Sequence, residues 1–407
     1  MHQFPSAQPI RTTPDNEFAA RTMTQRLPAN IANVIAAHED YPSHTAAALT
    51  QLSAGIAGNH PIPPPPIPSW DYERWQSEYA PYATDTWHDT EWFFAETYAF
   101  RLILAASRYF ETGIDPYGPM KTAEIDSGAA FLPVQRFFAP GGPAAPVLDH
   151  GAVSAATDVP ADARETLLEE ALHLSMWGNK ADISFAAGGA LDHSAGEREL
   201  LLRDDSVAAA EILVDTTGPV HIIMDNSGAE LAGDLVAALT IIRLTTRPVV
   251  LHPKLYPTYV SDTTVQDIHI YLARAAQSED TTVRRLAAAV HVEFDRGVLS
   301  LAPDDYWCGT RFLTAMPTRI RGALAGAELL IVKGDFNYRR VFRDTIWPAD
   351  TDPRAAAGAA FPYPILLLRT MKSDCLVGVA ERVTSPLDQT EPGWRTAGRR
   401  GVIQLLR

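Results

Sequence analysis

The chain has 407 residues, of which 46% are hydrophobic, and a formal net charge of −15 at pH 7. This length and apolar content predict a globular protein with either two domains or one large α/β domain. The negative charge argues against a nucleic-acid or anionic-membrane partner, because those surfaces attract basic proteins. The two cysteines, Cys308 and Cys375, lie far apart. They offer neither a disulfide framework nor a thiolate zinc site, and we expect both to be buried structural thiols.

The first third of the chain has the hydrophobic spacing of helices. Apolar residues follow that spacing over about residues 16–110, and a proline-rich stretch at 60–70 interrupts it with an extended connection. The beginning of the sequence lacks the apolar segment of a signal peptide, and the most apolar helical stretch contains Glu96 and Arg101. We therefore expect a soluble, cytoplasmic protein in which residues 1–165 form a mainly helical region.

Beyond about residue 205, short apolar strands alternate with helices. The predicted strands are VHIIMDN, RPVVLHP, AELLIVKGD and YPILLLRT, and helical stretches at 265–275 and 282–294 lie between them. Such alternation is typical of a mostly parallel sheet with helices on both faces. We therefore predict an α/β fold in which residues 166–407 form a three-layer α/β/α domain.

Each of the four predicted strands ends in polar or ionisable residues. They are Asp225 and Asn226; His252 and Lys254, followed by Ser261 and Asp262; Lys333, Asp335 and Asn337; and Arg369, Thr370 and Lys372. Ligands of open parallel sheets bind outside the carboxyl ends of the strands, so these clusters predict a single site. Helix capping would explain Asp225 or Asn226, but the positive end of a helix dipole would repel Lys254 and Lys372.

The residue types in this predicted site favour phosphate chemistry. Oxygen ligands of the kind that Mg²⁺ or Mn²⁺ prefers, with Co²⁺ or Ni²⁺ as further candidates, come from Asp225, Asn226 and Asp262. Cations that would neutralise a phosphoryl group come from Lys254, Arg339 and Lys372. Metal and cations together are the usual arrangement for phosphoryl transfer. The GxxxxGK[ST] and GxSxG motifs are absent and no GxGxxG follows a predicted strand, so a nucleotide kinase or serine esterase is disfavoured.

Four motifs in order resemble the damage-control phosphatase family, formerly called domain of unknown function 89. They are DNSGAEL at 225–231, HPKLYPTYVSDTT at 252–264, KGDFNYRR at 333–340 and RTMK at 369–372. The RTxK pattern is typical of subfamily III, which is similar to the acidic-residue methyltransferase-like proteins and sugar-phosphate phosphatases. The resemblance covers the sequence from about residue 20 onwards.

The resemblance implies a helical N-terminal part on an α/β/α domain, and a divalent-metal phosphatase of small phosphorylated metabolites. In this subfamily the expected substrates are sugar phosphates such as fructose 1-phosphate or fructose 6-phosphate. Catalytic and metal-binding roles are implied for Asp225, Asn226 and Asp262. Substrate contacts are implied for Glu230, Asp335, Asn337, Tyr338, Arg339 and Lys372. Lys254 is added to these substrate contacts because of its charge. Departures from the family pattern at Ala229, Tyr259 and Phe336 concern substrate preference.

The sequence alone leaves alternatives for several residues and for the function. Asp225 is either a metal ligand alone or also a nucleophile that forms an acyl-phosphate. His252 is read as a hydrogen-bonded structural residue, whereas Asn179 and Asp182 are placed near the site and Trp177 in the core. Two other functions compete with a phosphatase: an S-adenosylmethionine-dependent protein-carboxyl methyltransferase, and a non-catalytic protein that binds metal and sugar phosphate. No protein partner is indicated.

Overall fold

A computed structural model describes residues 7–66, 69–149, 159–178, 198–348, 351–358 and 361–407. The strands are β1 (Gln8–Pro9), β2 (Leu201–Asp204), β3 (Val220–Ile223), β4 (Val249–His252), β5 (Leu299–Leu301), β6 (Leu329–Lys333), β7 (Thr345–Ile346), β8 (Ile365–Thr370) and β9 (Gly401–Leu406). All four strands that the sequence predicts are present, as β3, β4, β6 and β8.

The α-helices cover the N-terminal part of the chain and recur between the strands. They are α1 (Glu17–Arg21), α2 (Leu27–Ala37), α3 (Ser43–Ala57), α4 (Tyr72–Tyr79), α5 (Trp92–Ala106), α6 (Tyr109–Thr112), α7 (Gly118–Asp126), α8 (Leu132–Phe137), α9 (Ala145–Asp149), α10 (Ala161–Trp177), α11 (Ser206–Asp215), α12 (Ala229–Thr245), α13 (Val265–Ala276), α14 (Thr281–Asp295), α15 (Thr318–Leu324), α16 (Gly334–Val341), α17 (Pro353–Ala357) and α18 (Glu381–Thr390). A π-helical turn, Thr22–Arg26, joins α1 to α2. The described residues contain no helix that is long and apolar enough to cross a bilayer.

The main sheet has seven strands in the order β2-β9-β8-β6-β3-β4-β5 among the described residues. Strands β8, β6, β3, β4 and β5 are parallel to one another, whereas β9 runs antiparallel to β8 and pairs in parallel with β2. The predicted α/β fold with a mostly parallel sheet and a helical N-terminal region is therefore confirmed. The sequence reading did not identify β2, β5 and β9.

Apolar cores cover both faces of the sheet. Along β6, Leu330 and Val332 belong to one core, whereas Leu329 and Ile331 belong to the other. Successive side chains of a strand point to opposite faces, so the sheet is the middle layer of three. The first core also contains residues of the N-terminal helices, such as Met23 of the π-turn. The helical region therefore packs directly on one face of the sheet. The boundary between regions 1–165 and 166–407 remains a prediction.

The chain changes direction between β3 and β6. From β3 it moves outward to β4 and then β5, and it returns to place β6 on the other side of β3. Such a reversal leaves a crevice at the carboxyl ends of the two central strands, where ligands of open α/β sheets bind. Asp225 lies just beyond the end of β3, and Gly334 follows β6 directly. The topology therefore brings the first and third polar clusters together.

Candidate active site

A cleft of about 170 Å³ lies at this crevice. Its sheet side is lined by Asp225, Asn226, Tyr259, Val260, Ser261, Asp262, Asp335, Phe336, Arg339 and Lys372. The N-terminal region contributes Phe18, Thr22, Arg26, Leu27, Asn30, Trp92, Glu96 and Phe100 to the same lining. Six of the residues that the sequence assigned to the site thus line one cleft: Asp225, Asn226, Asp262, Asp335, Arg339 and Lys372.

Backbone pairing between two loops brings the three proposed metal ligands together. The Thr263 N–H donates a hydrogen bond to the Asp225 carbonyl at 2.7 Å. Asn226 and Asp262 form an isolated antiparallel bridge. These contacts connect the end of β3 to the loop that follows β4. They hold Asp225, Asn226 and Asp262 next to one another although the residues are distant in sequence.

Two buried lysines support Asp262 from behind the cleft. Lys254 Nζ lies 3.0 Å from Asp262 Oδ2, and the Lys254 side chain is completely buried. Lys121 Nζ donates to the Asp262 carbonyl and to Asp267 Oδ2, both at 2.9 Å. Asp267 also closes a capping box with Thr264 at the start of α13. Lys254 is therefore a partner of Asp262 and does not line the cleft.

Two of the aspartates that line the cleft, Asp225 and Asp262, have the electrostatics of a cation site. Burial, followed by the charges of Asp262 and Glu230, raises the pKa of Asp225 well above its usual range. Burial also raises the pKa of Asp262, although Lys254 opposes that change. Asp225 Oδ1 is buried without a hydrogen-bond partner among the described residues. Adjacent buried carboxylates ionise together only when a positive charge is close.

The donor atoms suit a hard divalent ion. The side-chain amide oxygen of Asn226, Oδ1, accepts a hydrogen bond from Ser261 Oγ at 2.7 Å. A second lone pair on this oxygen remains for a ligand. With Asp225 and Asp262 it forms a set of oxygen donors of the kind that Mg²⁺ or Mn²⁺ takes. No group of three or more His, Cys, Asp or Glu side chains in the described part of the chain could hold a metal ion. The set therefore depends on the Asn226 amide as its third member.

Glu230 lies behind Asn226. Glu230 Oε2 accepts a hydrogen bond from Asn226 Nδ2 at 2.9 Å. Lys333 Nζ lies 3.2 Å from Glu230 Oε1 and 2.9 Å from Asp234 Oδ1, and Lys333 is completely buried. Glu230 therefore orients Asn226, and Lys333 does not reach the cleft. The sequence reading missed Asp234, for which the signal was its spacing of four residues from Glu230 on α12.

The RTxK pattern has a direct structural meaning. Asp335 Oδ1 accepts hydrogen bonds from Arg369 Nε at 2.8 Å, the Lys372 N–H at 3.0 Å and Ser373 Oγ at 3.1 Å. Burial raises the pKa of Asp335, but the Arg369 and Arg339 charges outweigh burial and lower it. Arg369 is completely buried, whereas the Lys372 side chain is exposed and lines the cleft. The arginine thus fixes Asp335, and the lysine faces the ligand space.

Arg339 is engaged by carboxylates on both sides. Its Nη1 donates to Glu96 Oε2 at 2.8 Å, and its Nε donates to Asp344 Oδ1 at 2.7 Å. The guanidinium carbon also lies 3.6 Å from the centre of the Trp92 ring. Arg339 lines the cleft, but most of its donors are already in use. It connects the sheet edge to the N-terminal region.

The other predicted substrate contacts on α16 lie in the core. Asn337 Nδ2 donates to the Met224 carbonyl at 3.2 Å. Tyr338 Oη accepts a hydrogen bond from the Val377 N–H at 3.1 Å. Neither side chain lines the cleft, and the same holds for Glu230 and Lys254. Substrate binding by these four residues stays a prediction, which rests on the resemblance for Glu230, Asn337 and Tyr338 and on charge for Lys254.

The remaining sequence assignments lie outside the cleft or outside the described residues. His252 Nε2 lies 2.9 Å from His221 Nδ1, and burial lowers the pKa of His252 to about 3. Trp177 is buried in the second core, as predicted. Cys308 and Cys375 are both buried. Asn179 and Asp182 lie outside the described residues.

Comparison with known proteins assigns the chain to a family. The family model described as "Damage-control phosphatase ARMT1-like domain" matches residues 22–386. The chain belongs to the damage-control phosphatase ARMT1-like family. The Xenopus laevis protein named "Damage-control phosphatase ARMT1" is 24% identical to this chain over 440 residues, which cover 96% of this chain and 97% of that protein. The human protein is 28% identical over 253 residues, which cover 57% of each chain.

A solved structure is similar over nearly the whole length. The crystal structure of a DUF89 family protein from Pyrococcus horikoshii covers 94% of this chain and 96% of that chain, with 12% sequence identity and a TM-score of 0.49. At that distance the likeness says nothing about function. The family model therefore confirms the sequence-based assignment to the damage-control phosphatases, whereas membership of the RTxK subfamily remains a prediction.

Gly334 allows α16 to approach the candidate site of this damage-control phosphatase. Its φ is +81°, and a Cβ at this position would overlap the Asp225 carboxylate. We expect Gly334→Ala to lower the free energy of unfolding by about 2 kcal/mol, because the alanine is strained and overpacked. Denaturant titration measures the change. Gly322→Ala is the matched control, since Gly322 lies in α15 with open space around it, and equal stability of the two variants would contradict the expectation.

Proposed function

We propose that the protein is a divalent-metal-dependent phosphatase of small phosphorylated metabolites, with sugar phosphates such as fructose 1-phosphate or fructose 6-phosphate as substrates. The observation that carries this proposal is the buried Asp225 Oδ1, which has no hydrogen-bond partner in the described part of the chain and lies beside Asp262 in a cleft that Lys372 also lines. Carboxylate oxygens on one side and an ammonium group on the other suit a metal-bound phosphate. Membership of a phosphatase family supports the reaction type.

The metal would be held by Asp225, Asn226 and Asp262. When bound there, Mg²⁺ or Mn²⁺ supplies positive charge to the phosphoryl oxygens. Glu230 keeps the Asn226 amide oriented by accepting from its Nδ2. Lys254 balances the charge of Asp262 from the buried side.

The substrate would lie between the proposed metal ligands and Lys372. The Lys372 ammonium acts as a mobile point charge on the phosphate, while Asp335 is fixed by Arg369. The three bonds to Asp335 use Oδ1, so Oδ2 is the oxygen available to a substrate hydroxyl. Tyr259 and Phe336 both line the cleft, and their ring centres lie 4.6 Å apart; this aromatic pair would exclude water from the reacting group.

Two pathways remain for the attack on phosphorus. In the first, the Asp225 carboxylate attacks phosphorus while the bond from phosphorus to the sugar oxygen breaks, and the sugar leaves as an alcohol after taking a proton from water. A second water molecule then hydrolyses the acyl-phosphate, which releases phosphate and restores Asp225. In the second, a water molecule attacks in line and Asp225 serves as a ligand. Rapid acid quenching distinguishes them, because protein-bound phosphate accumulates only in the first.

The experiment that tests the proposed function is phosphate release from sugar and nucleotide monophosphates. Each assay is run with Mg²⁺, Mn²⁺, Co²⁺ or Ni²⁺ and with chelator. We expect release from a hexose or pentose phosphate, and a loss of at least about a hundredfold in chelator, because the proposed metal supplies most of the charge stabilisation.

The two rival functions predict different results in the same experiment. A methyltransferase would bind S-adenosylmethionine saturably in calorimetry and release no phosphate. A binding protein would hold a sugar phosphate in the presence of metal without turnover. If no phosphate is released from any ester with any metal, the phosphatase proposal is wrong.

A further inference from the structure

The part of the cleft lining that comes from the N-terminal region, which we call the helix wall, contains a π-turn. Residues Thr22–Arg26 form this turn between α1 and α2. Single π-turns within α-helices are frequent at functional sites, because they shift side chains from their regular positions. In this wall, three polar residues spaced by four line the cleft: Thr22, Arg26 and Asn30. From sequence alone this spacing reads as an ordinary solvent-exposed helix face.

The Arg26 guanidinium is oriented before any ligand binds. Nη1 donates to Thr22 Oγ1 at 3.1 Å and lies 4.0 Å from Glu96 Oε1. The guanidinium carbon lies 4.8 Å from the centre of the Phe18 ring. The Arg26 side chain is still 49% exposed. Since these polar contacts use one of its nitrogens, N–H groups on the other nitrogens are available to a ligand in the cleft.

The charges around Glu96, which lies between Arg26 and Arg339, are already balanced. Glu96 Oε2 accepts from Arg339, which also donates to Asp344. Arg26, Arg339, Glu96 and Asp344 therefore bring together two positive and two negative charges. A further anion at this wall would lie near the two carboxylates without a compensating charge of its own. Neutral hydrogen-bonding groups, such as hydroxyls, fit the wall better.

The two walls therefore suit different parts of one substrate. The sheet wall carries the proposed metal ligands and Lys372, which suit a phosphate. The helix wall presents the guanidinium of Arg26 and the amide of Asn30, which suit hydroxyl groups. We propose that Arg26 and Asn30 bind the sugar hydroxyls and so determine the preference for sugar phosphates over simple phosphate esters. This inference rests on the proposed phosphatase function and adds a specificity determinant to it.

The test compares two substrates that differ in their hydroxyl groups. The variants are Arg26→Met and Asn30→Ala, and the substrates are fructose 6-phosphate and p-nitrophenyl phosphate. We expect Arg26→Met to lower kcat/KM for the sugar phosphate about ten- to a hundredfold, as for the loss of one charged hydrogen bond, and to leave the aryl ester within about twofold. Asn30→Ala should also lower kcat/KM for the sugar phosphate relative to the aryl ester, by about threefold to tenfold, as for the loss of a neutral hydrogen bond.

Arg21→Met is the matched control for this test. Arg21 lies in α1 with a 59% exposed side chain, is 3.9 Å from Glu17, and does not line this cleft. We expect it to leave both substrates unchanged. Equal losses on both substrates in Arg26→Met would mean that Arg26 acts on the phosphate or on the shape of the site, and would overturn the inference. No loss on the sugar phosphate would overturn it as well.

Equilibrium binding separates this inference from the phosphatase proposal. Calorimetry in Mn²⁺ measures the binding of a phosphonate analogue of fructose 6-phosphate, which cannot be hydrolysed, and of inorganic phosphate to wild type and Arg26→Met. We expect the variant to bind the analogue about ten- to a hundredfold more weakly and inorganic phosphate equally well. A wild type that binds but releases no phosphate would end the phosphatase proposal, and this comparison would still decide the role of Arg26. A wild type that binds no sugar phosphate would overturn both.

Discussion

Asp225→Asn is expected to lower kcat/KM for phosphate release by at least about a thousandfold, because it removes the carboxylate that we propose as a metal ligand and, in one of the two pathways, as the nucleophile. Asp225 Oδ1 is buried without a hydrogen-bond partner among the described residues, and Oδ2 accepts from Asn226 Nδ2 at 3.1 Å. The carbonyl oxygen of the introduced amide can keep that bond. The assay is phosphate release from the best sugar phosphate of the panel, with metal binding measured by calorimetry. Retention of more than about a tenth of wild-type activity would be incompatible with either role of Asp225.

The same substitution should not destabilise the metal-free protein. Burial and the charges of Asp262 and Glu230 raise the pKa of Asp225, so its ionised form is disfavoured in the folded state. A raised carboxyl pKa means that the native state binds the proton more tightly than the unfolded chain, and stability falls as the pH rises through the unfolded-state value towards the folded one. In chelator at neutral pH we therefore expect Asp225→Asn to unfold at a higher denaturant concentration than wild type.

Asp126→Asn is the control for Asp225→Asn. Its side chain is 51% exposed and pairs with Arg274 at the surface. We expect activity within about twofold of wild type and a change in stability below about 1 kcal/mol, as is usual for an exposed ion pair. A comparable loss of activity in this variant would indicate a general effect of removing an acidic residue.

Arg369→Met is expected to lower the free energy of unfolding by about 3–5 kcal/mol, because it leaves a carboxylate without its buried partner. Arg369 Nη2 lies 2.7 Å from Asp335 Oδ1, and the two side chains are 0% and 11% exposed. Arg369 also donates to the carbonyls of Cys375 and Ser373. Those carbonyls would lose their donors too. Denaturant titration measures the stability, and phosphate release at a temperature where the variant is folded measures the activity.

Arg395→Met provides the comparison for Arg369→Met. Arg395 pairs with Asp388 at 3.3 Å, with side chains 29% and 48% exposed. We expect its loss to cost at most about 1 kcal/mol. Adding Asp335→Asn to Arg369→Met should recover part of the lost stability, because the unpaired charge is then absent. Equal stability of the two single variants would show that the buried pair contributes no more than the exposed one.

The fold was readable from the sequence where hydrophobic patterns were strong. Strands β3 and β6 are buried at every position, and their apolar runs predicted a parallel sheet. The polar residues after these strands predicted where a cleft would lie, because strand direction fixes the edge at which the strand ends meet. Strand β2 was missed because it is only partly buried and ends in Arg203 and Asp204. Strand β9 is fully buried, but its apolar run is interrupted by Gln404 and follows a glycine- and arginine-rich stretch.

The direction of each side chain could not be read from the sequence. Lys254 and Lys372 both follow strand ends, yet the first is buried against Asp262 and the second faces the cleft. Arg339 has the charge of a phosphate ligand, but Glu96 and Asp344 engage it from distant or irregular parts of the chain. Such partners follow from tertiary packing, which no local pattern encodes. The contribution of Arg26 to the cleft has the same origin.

The position of β9 has a consequence for how the protein is synthesised. Leu201 of β2 pairs with Gly401 of β9, which is 200 residues further along the chain. At a translation rate of 5–20 residues per second, β2 leaves the ribosome roughly 10–40 s before its partner strand is made. During that interval its backbone donors and acceptors lack the neighbour they have in the finished sheet. A nascent chain stalled in this interval exposes a strand edge to which other chains can pair.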